Sequence, residues 1–162
     1  MHEVTLPLTI RDLMPDDLPS CSWSGSTAHL ASVARALARA GRGEVDYLAV
    51  CPPSDVPVGL CAIDYAKTRG CGTLWQLEVE GALQSCGIGT LLIRAAEQRI
   101  GARGLHRAEL AVEEDNPRAR ALYERLGYIA YGKEAASWDQ ESPDGTISRY
   151  ETVCTLMYKE LA

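Results

Sequence analysis

The chain has 162 residues, of which 46% are hydrophobic and 23% charged, and its formal net charge is −6. This length suits one domain with a sizeable core, so we expect residues 1–162 to form a single domain. The acidic balance argues against binding to nucleic acid, which requires a basic surface. No apolar run approaches the roughly 18 residues of a membrane-spanning helix, and the N-terminus does not resemble a signal peptide.

The cysteines and histidines give no sign of a metal site. Six cysteines are scattered along the chain without a C-x-x-C pair, and the three histidines lie far apart. Zinc sites need closely spaced ligands, so we expect no bound metal. Without a signal peptide, reduced thiols in the cytoplasm are the natural interpretation. The sequence leaves open whether the chain forms a homodimer.

Apolar runs bounded by turn residues predict the strands, and apolar positions at helical spacing predict the helices. The strands are expected at Leu6–Asp12, Val45–Cys51, Val58–Ala66, Leu74–Val79, Arg107–Val112, Tyr128–Lys133 and Tyr150–Lys159. The helices are expected from Ser26 or Thr27 to the glycines at 41–43, from Gly89 to Ala102, and from Pro117 to Gly127. The inward face of the first helix should consist of Leu30, Val33, Ala34, Leu37 and Ala38.

The order of these elements indicates how the strands pair. The second, third and fourth strands follow one another with short connections, which favours an antiparallel meander. The fourth and fifth strands are joined through a helix, so this pair should be parallel. The polar stretch Ser137–Ser148 is rich in turn residues and is expected to be a loop between the last two strands. We therefore predict an α/β domain with one mixed sheet.

A glycine-bearing turn joins the fourth strand to the second helix. It reads Gln84-Ser85-Cys86-Gly87-Ile88-Gly89-Thr90. The free backbone N–H groups of a first helical turn and the helix dipole favour an anion such as a pyrophosphate. The turn is neither a P-loop nor a dinucleotide fingerprint, because no Gly-Lys-Ser/Thr follows and Leu92 stands where a third glycine is due.

A second motif lies one strand further along. The segment Asn116-Pro-Arg-Ala-Arg-Ala-Leu-Tyr123-Glu-Arg-Leu-Gly-Tyr128 resembles the N-x-x-A-x-x-L-Y-x-x-x-G-F/Y segment of the GNAT superfamily of N-acetyltransferases. The glycine-bearing turn matches the Gln/Arg-x-x-Gly-x-Gly/Ala coenzyme A loop of the same family. Val79-Glu80 stands where members often carry Val-Asp-Pro, although Gly81 replaces the proline here. The resemblance covers residues 4 to 160.

The resemblance implies a fold, a co-substrate and a set of site residues. The fold would be a mixed, mostly antiparallel central sheet with a splayed parallel strand pair and helices on both faces. Acetyl-CoA would be the co-substrate, an amine would be the acceptor, and Tyr123 would be the general acid that protonates the departing thiolate. Coenzyme contacts would come from Leu77, Val79, Gln84, Ser85, Cys86, Gly87, Ile88, Gly89, Thr90, Asn116 and Tyr123. Cys86 is expected to contribute through its backbone rather than as a nucleophile.

The general base is less defined by the sequence. Gln76, Glu78 and Glu80 alternate with Trp75, Leu77 and Val79, so the first three should share one face of a strand. Polar side chains in a covered sheet are costly unless that face opens to a cleft, so we select Glu78 as the base. Glu80, Glu109 and Glu113 remain alternatives, and many family members use no fixed base.

The sequence does not identify the acceptor substrate. The stretch before the last strand carries an aromatic residue beside carboxylates, namely Trp138, Asp139, Glu141 and Asp144. This composition suits a cationic amine, and it equally suits a solvated loop. Two other functions stay open, a non-catalytic acyl-CoA sensor or scaffold and acyl transfer to a non-amine acceptor.

Overall fold

A computed structural model describes residues 1–162. The strands are β1 (Thr9–Asp12), β2 (Val45–Cys51), β3 (Gly59–Asp64), β4 (Gly72–Val79), β5 (Arg107–Glu113), β6 (Ile129–Glu141) and β7 (Ile147–Glu160). The α-helices are α1 (Thr27–Ala40), α2 (Ile88–Ala102) and α3 (Pro117–Arg125), and short 3-10 segments cover Pro15–Ser24 and Gly81–Leu83. None of these helices is long and apolar enough to cross a lipid bilayer.

The seven strands form one sheet in the order β1-β2-β3-β4-β5-β7-β6. Every neighbouring pair is antiparallel except β4 and β5, which are parallel. The predicted meander of β2, β3 and β4 and the parallel pair are therefore confirmed. Pairing between β4 and β5 ends at Leu74 opposite Leu110, and beyond that point the two strands separate. This splay leaves one edge of the second half of β4 unpaired.

Each face of the sheet is covered by its own hydrophobic core. Leu48 and Val50 of β2 belong to one core, whereas Tyr47 and Ala49 belong to the other, as the two-residue period of a strand requires. Side chains of α2 and α3 pack on the first core, and side chains of α1 pack on the second. The prediction of helices on both faces is confirmed. We call the two sides the α2 face and the α1 face.

The inward side of α1 differs from the prediction in its alanines. Val33 and Leu37 are buried as expected, but Ala34 and Ala38 are exposed and Ala36 is buried instead. Alanine is small enough to lie in either a core or water at little cost. Helical spacing therefore located the centre of the buried face of α1 but did not determine which of its alanines are buried.

The predicted loop Ser137–Ser148 is wrong. In the structure β6 continues to Glu141 and β7 begins at Ile147, so only residues 142–146 form the turn of a long hairpin. Cross-strand pairs stabilise this extension. They include a 3.2 Å ion pair between Asp139 and Arg149 and a Trp138–Tyr150 ring contact with centroids 4.9 Å apart. The polar composition reflects exposure of β6 at the sheet edge rather than irregular backbone.

Candidate active site

A groove of about 780 Å³ opens on the α2 face at the level where β4 leaves β5. Its floor includes Leu77 and Val79 of β4, one wall is the start of α2, and the other wall is α3. Of the residues predicted to contact the coenzyme, the groove is lined by Leu77, Val79, Gln84, Ser85, Gly87, Ile88, Gly89, Thr90, Asn116 and Tyr123. Cys86 is the one such residue that does not line it.

The turn before α2 presents unpaired backbone N–H groups to this groove. Ser85 and Gly87 both have left-handed backbone, with φ of 65° and 87°. The first helical bond runs from Leu91 N to Gly87 O, so the N–H groups of the three residues before Leu91 have no acceptor within the helix. No side chain caps α2. By contrast, Ser26 caps α1 and Asn116 caps α3 through their side-chain oxygens. The N-terminus of α2 is thus open to an anionic ligand.

Two cations that the sequence analysis did not single out also line the groove. Arg118 and Arg125 lie seven positions apart on α3 and therefore share a face of that helix. Arg118 donates a hydrogen bond to the Ser85 hydroxyl, which ties α3 to the turn before α2. The i, i+7 spacing of basic residues was the signal that could have identified them.

Tyr123 lies half-buried in the groove wall. Its ring contacts Tyr128 edge-on with centroids 6.2 Å apart. Tyr128 is held in turn by donating its hydroxyl to Glu97, which also accepts from Lys159. Burial, with smaller contributions from Cys61 and Glu78, raises the pKa of Tyr123 to about 12. The phenol therefore stays protonated at neutral pH, and it makes no hydrogen bond within the chain.

A bulge in β4 changes which side chains share a face. Ala62 pairs with Trp75 and Leu60 pairs with Glu78, so two residues of β4 lie opposite the single Cys61. Gln76 accommodates the extra residue with a left-handed φ of 51°. Trp75 consequently lies on the same α1 face as Gln76 and Glu78, and the predicted regular alternation of Trp75 with these two residues is wrong.

The side-chain amide of Gln76 is engaged in two hydrogen bonds and is not free to contact a substrate. Its Oε1 accepts a hydrogen bond from the Tyr47 hydroxyl at 2.8 Å, and its Nε2 donates to the Ser32 hydroxyl at 3.0 Å. Ser32 belongs to α1, so this amide holds the helix against the bulge. The paired contacts offset the strain of a left-handed non-glycine residue.

Glu78 differs from two of the alternative carboxylates by having no hydrogen-bond partner. Glu113 accepts from the Tyr150 hydroxyl at 2.7 Å, and Glu109 pairs with Arg107 at 2.8 Å. Burial raises the pKa of the Glu78 carboxyl above its ordinary value. Glu80 lies beyond the end of β4, next to the 3-10 segment. Glu78 is therefore the unengaged carboxylate on the strand itself.

The acidic residues of the hairpin are engaged locally. Asp139 pairs with Arg149, and Asp144 accepts a hydrogen bond from the Thr146 amide within the turn. Glu141 accepts from the Ala28 amide at 3.4 Å, which places the hairpin end at the first turn of α1. These carboxylates stabilise the hairpin and its contact with α1.

The six cysteines are free, and only Cys86 is exposed. Its thiol donates to the Gln84 carbonyl oxygen at 3.7 Å. No group of three or more His, Cys, Asp or Glu side chains is arranged to hold a metal ion. The interpretation of the chain as metal-free stays a prediction.

The family assignment follows from comparison with known proteins. The model of the acetyltransferase (GNAT) family matches residues 10–128, which include β4, the turn before α2, and α3. The chain belongs to this GNAT family. The splayed β4–β5 pair and the open N-terminus of α2 are thus features of a GNAT domain, and the expected family membership and fold are confirmed.

Individual relatives support the same family. The GNAT chain is 44% identical over 57 residues to mycothiol acetyltransferase from Beutenbergia cavernae, a segment that covers 35% of this chain and 19% of that protein. The match thus spans about a fifth of the length of that curated relative.

Solved structures share the fold. The ribosomal-protein-S18-alanine N-acetyltransferase of Escherichia coli has a TM-score of 0.74 and 18% identity, covering 96% of this chain and 95% of that one. The spermidine N-acetyltransferase of Vibrio cholerae, in complex with CoA and spermine, has a TM-score of 0.68 and 21% identity, covering 94% and 95%. At these identities the likeness concerns the fold alone.

Proposed function

We propose that this GNAT chain transfers the acetyl group of acetyl-CoA to a primary amine by direct attack in a ternary complex. The observation that carries the proposal is the groove itself. It joins an uncapped helix N-terminus, an unpaired edge of β4 and the phenol of Tyr123. These three features supply anion binding, backbone hydrogen bonds and a proton donor in one place.

The coenzyme fits the groove by charge and by shape. Its pyrophosphate would lie on the backbone N–H groups of residues 85–90, where the left-handed Gly87 leaves room for close approach. Arg118 and Arg125 would add positive charge beside the phosphates. The pantetheine amides would pair with the free edge of β4 at Leu77 and Val79, as an added strand does.

The reaction needs a hydrogen-bond donor for the acetyl oxygen and an acid for the sulfur. The amine nitrogen forms a bond to the carbonyl carbon while backbone N–H groups of residues 77–79 stabilise the negative charge on the oxygen. The carbon–sulfur bond then breaks, and the thiolate takes the proton of the Tyr123 phenol. The nitrogen, which is cationic after the attack, loses its extra proton to solvent, and the Tyr123 phenolate takes a proton back from solvent. Because Tyr123 is protonated at neutral pH, it begins each turnover in the required state.

Glu78 is proposed as the base that takes the proton of the ammonium acceptor, directly or through a water molecule. It lies on the α1 face of the strand whose other face lines the groove. Its charge contributes to the raised pKa of Tyr123, so the two groups are electrostatically coupled. We expect Glu78→Gln to reduce the rate most at low pH, where fewer acceptors are already deprotonated.

The acceptor is proposed to be a primary amine, either a small molecule or a peptide terminus, with no strong negative charge near the reacting nitrogen. The unpartnered Glu78 carboxylate would attract a cation and repel an anion at that point. Its effect weakens as salt screens it over about 8–10 Å. Catalytic efficiency should therefore fall as ionic strength rises and increase with pH.

The test incubates the protein and acetyl-CoA with and without a panel of amines. Release of the coenzyme A thiol measures turnover, and mass spectrometry identifies the products. Transfer to an amine supports the proposal. Acetyl-CoA binding without turnover of any acceptor would instead identify a sensor or scaffold, and products acetylated on oxygen would identify a non-amine acceptor. A screen in which acceptors with a negative charge beside the reacting nitrogen outperform matched acceptors without one at low salt would contradict the proposed role of Glu78.

A further inference from the structure

A second pocket lies on the α1 face, outside the coenzyme groove. Its volume is about 240 Å³, and it is lined by Arg39, Asp64, Lys67, Thr73, Leu74, Trp75 and Ala111. Ala111 is exposed although it lies in β5, which has a paired strand on each side. The bulge places Trp75 on the same face as Glu78, so the pocket lies further back along the face that carries the proposed base.

The pocket contains a buried hydroxyl without a partner and a lysine held by one long ion pair. The Thr73 side chain is only 6% exposed, and its hydroxyl has no hydrogen-bond partner. The Lys67 ammonium lies 3.5 Å from a Glu134 carboxylate oxygen. This is longer than the approximately 2.7–2.9 Å of a charge-assisted hydrogen bond. A buried hydroxyl without a partner is rare and calls for a ligand or a water molecule.

The other charges of the pocket are already committed. Arg39 binds Asp64 through two hydrogen bonds of 2.8 and 2.9 Å and binds Glu44 at 3.0 Å. Asp64 also accepts from the backbone amides of residues 66 and 67, so its oxygens are occupied. The group without any partner is therefore the Thr73 hydroxyl, and the Lys67 ammonium, held only by its 3.5 Å ion pair with Glu134, keeps N–H donors for a further acceptor. Together they favour a ligand oxygen that accepts hydrogen bonds and carries negative charge.

We propose that this pocket binds a carboxylate at the far end of the acceptor, an inference that rests on the proposed acetyl transfer. Because of the bulge in β4, Thr73 and Glu78 lie opposite Asp64 and Leu60, which are four residues apart on β3, and at 3.3 Å per residue this is roughly 13 Å. An extended peptide spans about 3.3–3.6 Å per residue, so this distance corresponds to about four residues. The acceptor is then an extended molecule of short-peptide length with an amine at one end and a carboxylate at the other.

This assignment is compatible with a cationic reacting end. A carboxylate roughly 13 Å from the amine lies beyond the Debye length of about 8 Å at physiological salt, so it would be only weakly repelled by Glu78. An acceptor with ammonium groups at both ends would place one of them beside Lys67 and Arg39. Like charges at that distance disfavour binding, so the pocket selects against such acceptors.

The test compares a tetrapeptide that has a free C-terminal carboxylate with the same tetrapeptide amidated at its C-terminus. Wild type should show a KM about tenfold lower for the free acid, which corresponds to about 1.4 kcal/mol. Thr73→Val and Lys67→Gln should each remove most of this difference by raising the KM of the free acid, with kcat unchanged. Thr73→Ser keeps a hydroxyl and should therefore retain the lower KM for the free acid.

The control is Lys133→Gln, which removes an exposed lysine of β6 that forms an ion pair with Glu114 outside the pocket. It should leave both KM values unchanged. Equal KM values for the two peptides in wild type would overturn the carboxylate site and leave a water molecule as the partner of Thr73, with acetyl transfer intact. Absence of transfer to any amine would overturn the proposed function first, before variants are compared. If Thr73→Val does not fold, the exposed Lys67→Gln variant still decides the outcome.

Discussion

The coenzyme groove and the α1 face differ in how the chain builds them. The groove is formed within residues 77–125, where β4, a turn, α2, β5 and α3 follow one another. The α1 face combines α1, the middle strands and the β6–β7 hairpin, which are far apart in sequence. The groove uses mainly backbone groups, whereas the α1 face uses side chains. A site made of consecutive residues leaves a motif in the sequence, and a site assembled from distant segments does not.

The charges of the two regions differ in the same way. Arg118 and Arg125 line the groove, and none of the groove-lining residues carries a carboxylate. This charge distribution suits an anionic co-substrate. On the α1 face most charges are paired, and Glu78, Thr73 and Lys67 retain unused binding capacity. The four variants below test whether the two regions have separable roles, beginning with the largest expected effect.

Tyr123→Phe removes the phenol in the wall of the coenzyme groove and leaves the ring to pack against Tyr128. If the hydroxyl protonates the thiolate, turnover should fall by about 10²–10⁴ while affinity for acetyl-CoA changes little. Steady-state kinetics and calorimetry measure the two quantities. The control is Tyr131→Phe on the exposed edge strand. Turnover like that of wild type in Tyr123→Phe would reduce this residue to a structural role.

Gly87→Val places a side chain at the proposed pyrophosphate site. We expect acetyl-CoA affinity to fall by tenfold or more, about 1.4 kcal/mol. Gly104→Val is a matched control, because Gly104 also has a left-handed φ, of 78° against 87°, and an added Cβ meets no atom within 4 Å at either position. Both variants should lose similar stability from backbone strain. Equal acetyl-CoA affinity in the two variants would contradict the assignment of the turn.

Arg118→Gln removes one cation of the groove without touching the proposed chemistry. Acetyl-CoA affinity should fall about three- to fivefold at low salt, because exposed charge pairs contribute roughly 1 kcal/mol or less. The loss should shrink at high salt. Arg120→Gln is the control, since Arg120 lies on the same helix but outside the groove and pairs with Glu124 at 2.7 Å. A salt-independent loss would indicate packing rather than charge.

Glu78→Gln should also change stability, and this is the smallest expected effect. Burial raises the pKa of Glu78, so the folded protein binds this proton more tightly than the unfolded chain. The free energy of unfolding therefore decreases as pH rises from the ordinary pKa of a glutamate through the raised one. The variant lacks this penalty and should melt slightly above wild type at neutral pH but not in acid. Thermal melts at both pH values, with exposed Glu151→Gln as control, measure the difference, and an identical shift in acid would exclude titration as its cause.

Sequence reasoning identified the fold and most of the groove because those features depend on local chemistry. Gly87 was identifiable from its place in the Gln-x-x-Gly-x-Gly turn, and Asn116 because it precedes a proline at a helix start. The contributions of the individual site residues to binding and catalysis, the single-domain boundary and the homodimer remain predictions. Arg118 and Arg125 could have been found from their helical spacing alone.

The sequence by itself determined the strand and helix order, the parallel pair and the turn that opens α2, since each follows from periodicity, capping and connection length. Only the tertiary structure decided that Trp75 lies beside Glu78, that β6 and β7 extend to Glu141 and Ile147, and that Thr73 meets Lys67 in a pocket. A bulge is a mismatch between two strands, and a long hairpin depends on cross-strand pairs. Both arise from residues that come together only when distant parts of the chain pack.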